Sequence, residues 1–231
     1  MRPRPERVPG QSIFAESHER GGALKIKICG ITNAADAKSA IECGADALGF
    51  NCFPGSKRYI DMKIAGEWIS QLPETTAKIA ILVNPSLEEA LATAALPFVT
   101  ALQLHGAETH EFCGTLAQRG VRFAKALPVT SENSVRDLPS FATDTLVLDA
   151  SHAGEFGGTG RVIDGEIARR FIESNPRLRV ILAGGLTPEN VGAAVRKTGP
   201  FAVDVTTGVE SAPGHKDPEL VRAFIEAARG A

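Results

Sequence analysis

Cys29, Asp149 and Arg58 are the side chains of this 231-residue chain whose types and positions best suit chemistry. Cys29 closes the run KIKIC, in which alternation puts Lys25, Lys27 and Cys29 on one side and Ile26 and Ile28 on the other. A thiol near cations ionises more readily and can then act as a base or nucleophile. The bland reading is a buried, inert cysteine. The strand-end position, the Gly30-Ile31-Thr32 turn and Lys27 favour chemistry. Asp149 closes TLVLD and shares a side with Thr145 and Val147, ahead of a loop, SHAGEFGGTG, with four glycines that can close over a ligand. A partly desolvated carboxyl there has a raised pKa and can donate a proton near neutrality. A structural hydrogen-bond acceptor is its plainer role. Arg58 sits in PGSKRYI, where Tyr59-Ile60 can anchor the loop and aim the guanidinium. That fork suits a ligand carboxylate, whereas Lys57 reads as solvated.

A second tier of residues binds more than it reacts. Gln103 and His105 share one side of ALQLHG and make a polar lining. Gly184-Gly185, in LAGGLTPEN, lets backbone amides approach an oxyanion, and Thr206, Thr207 and Gly208 add hydroxyls and more amides. Asp204 faces the same way as Lys27 if the strand carrying it closes onto the first one, giving a buried Lys27–Asp204 pair that stiffens the fold. Lys125 reads equally as core-adjacent or functional. Cys43 and Cys113 fall at apolar helical positions and read as inert, and His152 receives no role.

The elements that must carry these residues alternate. Apolar or β-branched runs at Lys25–Cys29, Asp46–Asn51, Lys78–Val83, Val99–Leu104, Val121–Ala126, Thr145–Asp149, Arg179–Ala183 and Phe201–Val205 are separated by helical segments. Asn33, Asp61, the Ser86/Glu89 box, Thr109 and Asp164 read as helix starts, as do Thr187-Pro188 and Asp217-Pro218. Gly44, Gly120 and Gly199 read as stops. Ser131–Leu138 reads as a shorter, weaker helix. This pattern predicts a single (β/α)₈ TIM barrel over residues 23–231, with its active site where strands end. A doubly wound open sheet is the rival, but it wants a GxGxxG fingerprint near its start, which is absent. In such barrels the loops after the last two strands commonly hold phosphate.

Net charge is −2, so there is no bulk positive field, and neither nucleic acid nor an anionic membrane is expected as a partner. No apolar run approaches the roughly 20 residues of a membrane span. Four cysteines without CxxC or metal-ligand spacing predict free thiols, a cytoplasmic location and no metal site. Residues 1–22 are rich in Arg, Pro and Glu and lack a periodic apolar face. They are expected to form a flexible extension outside the fold.

Taken together, KICGIT, GADALGF with PGSKRYI, ALQLHG, LDASHAGEFGGTG, ILAGGLTPENV and AVDVTTGVE followed by GHKD resemble the phosphoribosylanthranilate isomerase family of tryptophan biosynthesis. The resemblance runs from Lys25 to about Phe224. It implies a cofactor-free barrel enzyme that performs an Amadori rearrangement on a phosphorylated small molecule, as a monomer or homodimer. By motif, Cys29 would be the general base and Asp149 the general acid. Arg58 would hold the anthranilate carboxylate, and Gly184, Gly185, Thr206 and Thr207 the phosphate. The chain departs from the family at Asn51-Cys52, usually apolar, and at TTG, where SSG is common. Two other readings stay open. A metal-dependent pentose-phosphate epimerase would need several ligands at strand ends, yet only His105 is well placed, with His18, His110, His152 and His215 scattered. A non-catalytic barrel that senses a phosphorylated metabolite would keep the phosphate loops without needing Cys29 or Asp149.

Overall fold

The structure is a computed structural model that describes residues 13–14, 23–129, 131–135, 140–150 and 163–231. Eight parallel strands close into a barrel: β1 (Lys25–Cys29), β2 (Ala47–Asn51), β3 (Ala77–Leu82), β4 (Ala101–Leu104), β5 (Phe123–Pro128), β6 (Thr145–Asp149), β7 (Arg179–Leu182) and β8 (Ala202–Val205). Each pairs with the next, and β8 returns to β1 with Lys27 opposite Asp204. The TIM barrel expected from the alternating runs is therefore the fold. Outside it lie α1 (Ala34–Glu42), α2 (Met62–Ile69), α3 (Leu87–Ala94), α4 (His110–Gln118), α5 (Gly165–Ser174), α6 (Val191–Thr198) and α7 (Pro218–Arg229). After β8 the chain makes a small antiparallel hairpin, β9 (Glu210–Ala212) and β10 (His215–Lys216).

The helix starts follow side-chain chemistry. Asn33 accepts from the Asp36 amide, Asp61 from Lys63, Thr109 from Phe112 and Asp164 from Glu166. Ser86 and Glu89 form the reciprocal capping box, and Asp217 caps α7 ahead of Pro218. Each such cap satisfies amide donors that a helix start leaves orphaned. One boundary differs. Thr187-Pro188 does not open α6, which begins at Val191. The Asn190 carboxamide instead accepts from the Thr187 amide at 2.9 Å and donates to the Gly185 carbonyl at 2.9 Å, so this stretch is spent on a turn that supports the glycine loop. After β5, a 3₁₀ turn at Glu132–Val135 stands within the span expected as a short helix, whose residues 136–138 lie outside the described residues.

Alternation divides each strand between two cores. Ile26, Ile28, Leu48, Phe50, Leu102, Leu104, Leu146 and Leu148 face the helices. The inner cluster is built of small side chains: Ala47, Ala77, Ala101, Ala124, Ala126, Ala183 and Ala202, joined by Ile79, Val147 and Ile181. Barrel interiors are usually filled by bulky branched residues, and methyl groups leave room. Ile13 and Phe14, 0% and 2% exposed, belong to this inner cluster. Phe14 meets Phe201, at the entry to β8, edge to face with ring centroids 5.6 Å apart. These two residues therefore depart from the expectation that 1–22 stands outside the fold; the remainder of that span, with His18, lies outside the described residues. The reason is volume, since the alanine-lined floor accepts two large apolar side chains that no helix or strand pattern announces.

No helix among the described residues is long and apolar enough to cross a membrane.

Candidate active site

The C-terminal rim of the barrel gathers most of the residues singled out in the sequence. Cys29, Gln103, His105, Asp149, Gly184, Gly185, Asp204, Thr206 and Thr207 line one cavity. Asn51, Ile81 and Gly208 line it too. A larger cavity of about 660 Å³ lies elsewhere, against Phe141 and Phe171 at the start of β6 and the end of α5, and collects none of these groups.

Cys29 ends β1 and Asp149 ends β6, with β8 and β7 between them around the ring. Both thus reach the cavity from separate arcs of its wall, as an acid and a base working on one small molecule must. The other thiols are different. Burial pushes Cys52 up to about 12 and Cys113 up to about 11, which leaves both protonated and inert. Cys43 caps α1 at its C-terminal end.

Polar contacts orient the acid. Gln103 Nε2 lies 3.2 Å from His105 Nδ1, and His105 Nε2 lies 3.4 Å from Asp149 Oδ2. The Gln103 amide hydrogen is donated to Nδ1, which leaves the Nε2 edge of the ring facing the Asp149 carboxyl. Gln103 is 1% exposed, and its Oε1 has no hydrogen-bond partner among the described residues. The same holds for Asp204 Oδ1, while Asp204 Oδ2 takes the Lys27 ammonium at 2.6 Å. Burial alone pulls Lys27 down, but Asp204 and then Cys29 more than offset it, so its pKa stands above the ordinary lysine value.

The loops after β7 and β8 form a continuous lip. Gly184 has φ of 85°, and a Cβ there would come within 2.7 Å of the Ala150 Cβ and 3.0 Å of Asp149 Oδ1. A glycine is thus what allows the lip to sit against the acid. Gly208 packs on the Leu186 carbonyl, which brings the two loops together.

Arg58 departs from the simple picture of a free fork. Its Nε and Nη2 donate to Glu210 Oε1 and Oε2 at 2.8 and 2.6 Å. Tyr59 and Ile60 pin the loop bearing it: Tyr59 bridges to Asn51 through the backbone although 44% exposed, and Ile60, 8% exposed, donates its amide to Asn51 O. Lys125 is structural: its ammonium meets Glu108 at 3.0 Å and donates to the Gly106 and Ala126 carbonyls. His152 and the glycine-rich loop after β6 lie outside the described residues. Among the described residues, no three His, Cys, Asp or Glu side chains are grouped to hold a metal ion.

Sequence reasoning missed Glu210 and Lys216, both buried at the rim. A signal for the hairpin was present in Pro213-Gly214 between two short polar runs, but the regular pairing it predicts sets Ser211 across from Lys216, and Glu210 takes that place only through a register shift between His215 and Lys216.

Residues 26–227 match the family described as N-(5'phosphoribosyl)anthranilate (PRA) isomerase. A protein of that name from Pelobacter propionicus is 41% identical over 206 residues, which cover 89% of this chain and 96% of the relative. The crystal structure of phosphoribosyl anthranilate isomerase from Thermotoga maritima superposes with a TM-score of 0.79 at 38% identity, covering 90% of this chain and 100% of that one. A solved complex of such an isomerase with reduced 1-(o-carboxyphenylamino)-1-deoxyribulose 5-phosphate gives 0.75 at 35% identity, again covering 90% and 100%. Matches of this extent, across the barrel and its catalytic rim, mean that the chain belongs to the phosphoribosylanthranilate isomerase family.

Proposed function

We propose that Cys29 is the general base and Asp149 the general acid of phosphoribosylanthranilate isomerisation. As a family member the chain converts phosphoribosylanthranilate into 1-(2-carboxyphenylamino)-1-deoxyribulose 5-phosphate in tryptophan biosynthesis. The observation that carries the assignment of roles is that both side chains line one cavity, with the two glycines and two threonines of the β7 and β8 loops on its edge.

The steps balance without an electron acceptor. Asp149 gives a proton to the ring oxygen of the ribose. The bond from that oxygen to C1 breaks as the nitrogen lone pair forms a C1=N Schiff base. Cys29 then takes the proton from C2, and the released pair forms the C1=C2 bond of an enolamine while neutralising the nitrogen. Tautomerisation delivers the C2 ketone. Each proton transfer needs one positioned group, and acid and base of this kind contribute roughly 10²–10⁴-fold apiece. Gln103 and His105 hold Asp149 on its β6 side. The buried acceptors Gln103 Oε1 and Asp204 Oδ1 are suited to ribose hydroxyls.

The anionic ends of the substrate keep its middle in reach. Gly184, Gly185, Thr206 and Thr207 take the phosphate, through amides and hydroxyls rather than lysines. Arg58 takes the anthranilate carboxylate.

Turnover of freshly prepared phosphoribosylanthranilate, followed by loss of the anthranilate adduct's fluorescence, tests this reading in the purified protein and its Cys29→Ser and Asp149→Asn variants. The reading expects rapid consumption by the wild type, undiminished by a chelator, and near loss in either variant. Binding without turnover by the wild type would instead support a metabolite sensor. Activity lost to a chelator and restored by zinc would support a metal-dependent mechanism.

A further inference from the structure

We propose that Glu210 is a positioning residue for the reaction: clamped by Lys216, it fixes the plane of the Arg58 guanidinium so that the substrate carboxylate meets an oriented fork. This inference rests on the reading of Arg58 as the carboxylate anchor.

The geometry is that of a built device. Glu210 Oε1 accepts from Arg58 Nε at 2.8 Å, from Lys216 Nζ at 2.9 Å and from the Gly214 amide at 3.3 Å. Oε2 accepts from Arg58 Nη2 at 2.6 Å. Lys216 Nζ also donates to the Thr206 carbonyl, in the lip assigned to the phosphate, at 3.1 Å. The hairpin β9–β10 carrying both residues is tied down on the far side. There the Lys216 amide donates to Asp36 at 2.8 Å, and Thr32 Oγ1 to the Gly214 carbonyl at 2.6 Å. Arg58 crosses directly over Gly30, the residue after Cys29, where a Cβ would come within 2.6 Å of its Cδ. The guanidinium is therefore held from one edge, next to the base, and its Nη1 has no partner among the described residues.

Charge and burial point the same way. The Glu210 and Lys216 side chains are 3% and 1% exposed. Burying ions costs several kcal/mol each, and a buried pair is no proof of stability, so its presence at a rim calls for a use. Glu210 is shared between two cations, so neither the Arg58 nor the Lys216 charge has a carboxylate to itself. Burial draws the Lys216 pKa down and Glu210 only partly restores it. The Glu210 contact raises that of Arg58, so the charge presented to the substrate is secure.

A simple counter-ion would behave in the opposite sense. It would compete with the substrate carboxylate for Arg58, and its removal would tighten binding. Steady-state constants for phosphoribosylanthranilate in the wild type, Arg58→Ala, Glu210→Gln and the double variant separate the cases, with thermal unfolding as the check on fold. The expected result is a KM raised about tenfold by Glu210→Gln with kcat within about twofold, and no further rise when Arg58 is already alanine. If Glu210→Gln leaves KM unchanged or lowers it while Arg58→Ala raises it, the positioning role is overturned and the anchor role stands. An equal rise in the Arg58→Ala background also overturns it, because Glu210 then acts through something else. Unchanged KM in Arg58→Ala removes the anchor role and this inference with it. Should Glu210→Gln not fold, Arg58→Lys decides: it keeps the charge and loses the fork. A KM raised as far as in Arg58→Ala supports the proposal, and a near-normal KM overturns it.

Discussion

Lys27 and Asp204 meet across the seam where β8 closes on β1, Nζ to Oδ2 at 2.6 Å, with the lysine fully buried. The two residues are direct register partners in neighbouring strands. Removing one member strands the other, so Lys27→Met is expected to destabilise the barrel by about 3–5 kcal/mol, measured by denaturant unfolding. The pH dependence follows from the sign of the shift. Lys27 is held above its ordinary value of 10.5, so its contribution is complete below that value and fades as pH rises through the higher folded pKa. The gap between wild type and Lys27→Met should be flat through neutral pH and narrow only in strong alkali. A gap that opens on acidification instead would assign the stabilisation to other groups.

Cys29→Ser and Asp149→Asn should each lower kcat by about 10²–10⁴ with KM nearly unchanged, because each removes a proton-transfer group and no anchor. Single-turnover measurements resolve the steps. Asp149→Asn should stall ring opening, and Cys29→Ser should stall loss of the C2 proton, visible as a full isotope effect with C2-deuterated substrate. Near-normal turnover in either variant would strip that residue of its role.

Arg58→Ala should act on binding. Loss of a charge-assisted contact is worth about 1.5–3 kcal/mol, so KM should rise by roughly one to two orders of magnitude while kcat changes far less. An analogue whose ring lacks the carboxylate should show no such difference between the two proteins.

Phe14→Ala tests the floor. Phe14 is 2% exposed among small side chains that cannot collapse into the space it leaves. A loss of about 3–5 kcal/mol in unfolding free energy is expected, with kcat and KM unaltered, since the active rim is at the other end of the strands. A loss below about 1 kcal/mol would mean that Phe14 is dispensable to the core.

Strand order, most helix starts and the cavity-lining positions were legible because each rests on local chemistry. Alternation within KIKIC and TLVLD sets which side chains face inward, and Asn33, Asp61 and Asp217 cap helices through bonds two or three residues long. The Lys27–Asp204 pair was legible only once barrel closure was assumed. What escaped depends on long-range partners. Arg58 and Glu210 are 152 residues apart in sequence, so nothing near either announces the other. Lys125 could be assigned only when Glu108 was seen against it. Thr187-Pro188 carried a valid helix-start signal that the glycine loop overrode by recruiting Asn190. Ile13-Phe14 is too short to carry periodicity, and the space it fills is a property of seven alanines scattered over five strands and the residue that follows β7.

The seating of Ile13 and Phe14 beneath the barrel also fixes where the amino-terminal side of the protein is moored. Anything joined ahead of Ile13, whether a purification handle or a fused enzyme, is tethered at the end remote from the catalytic mouth. Cargo carried at the amino terminus is attached well away from the traffic of substrate and product through that mouth.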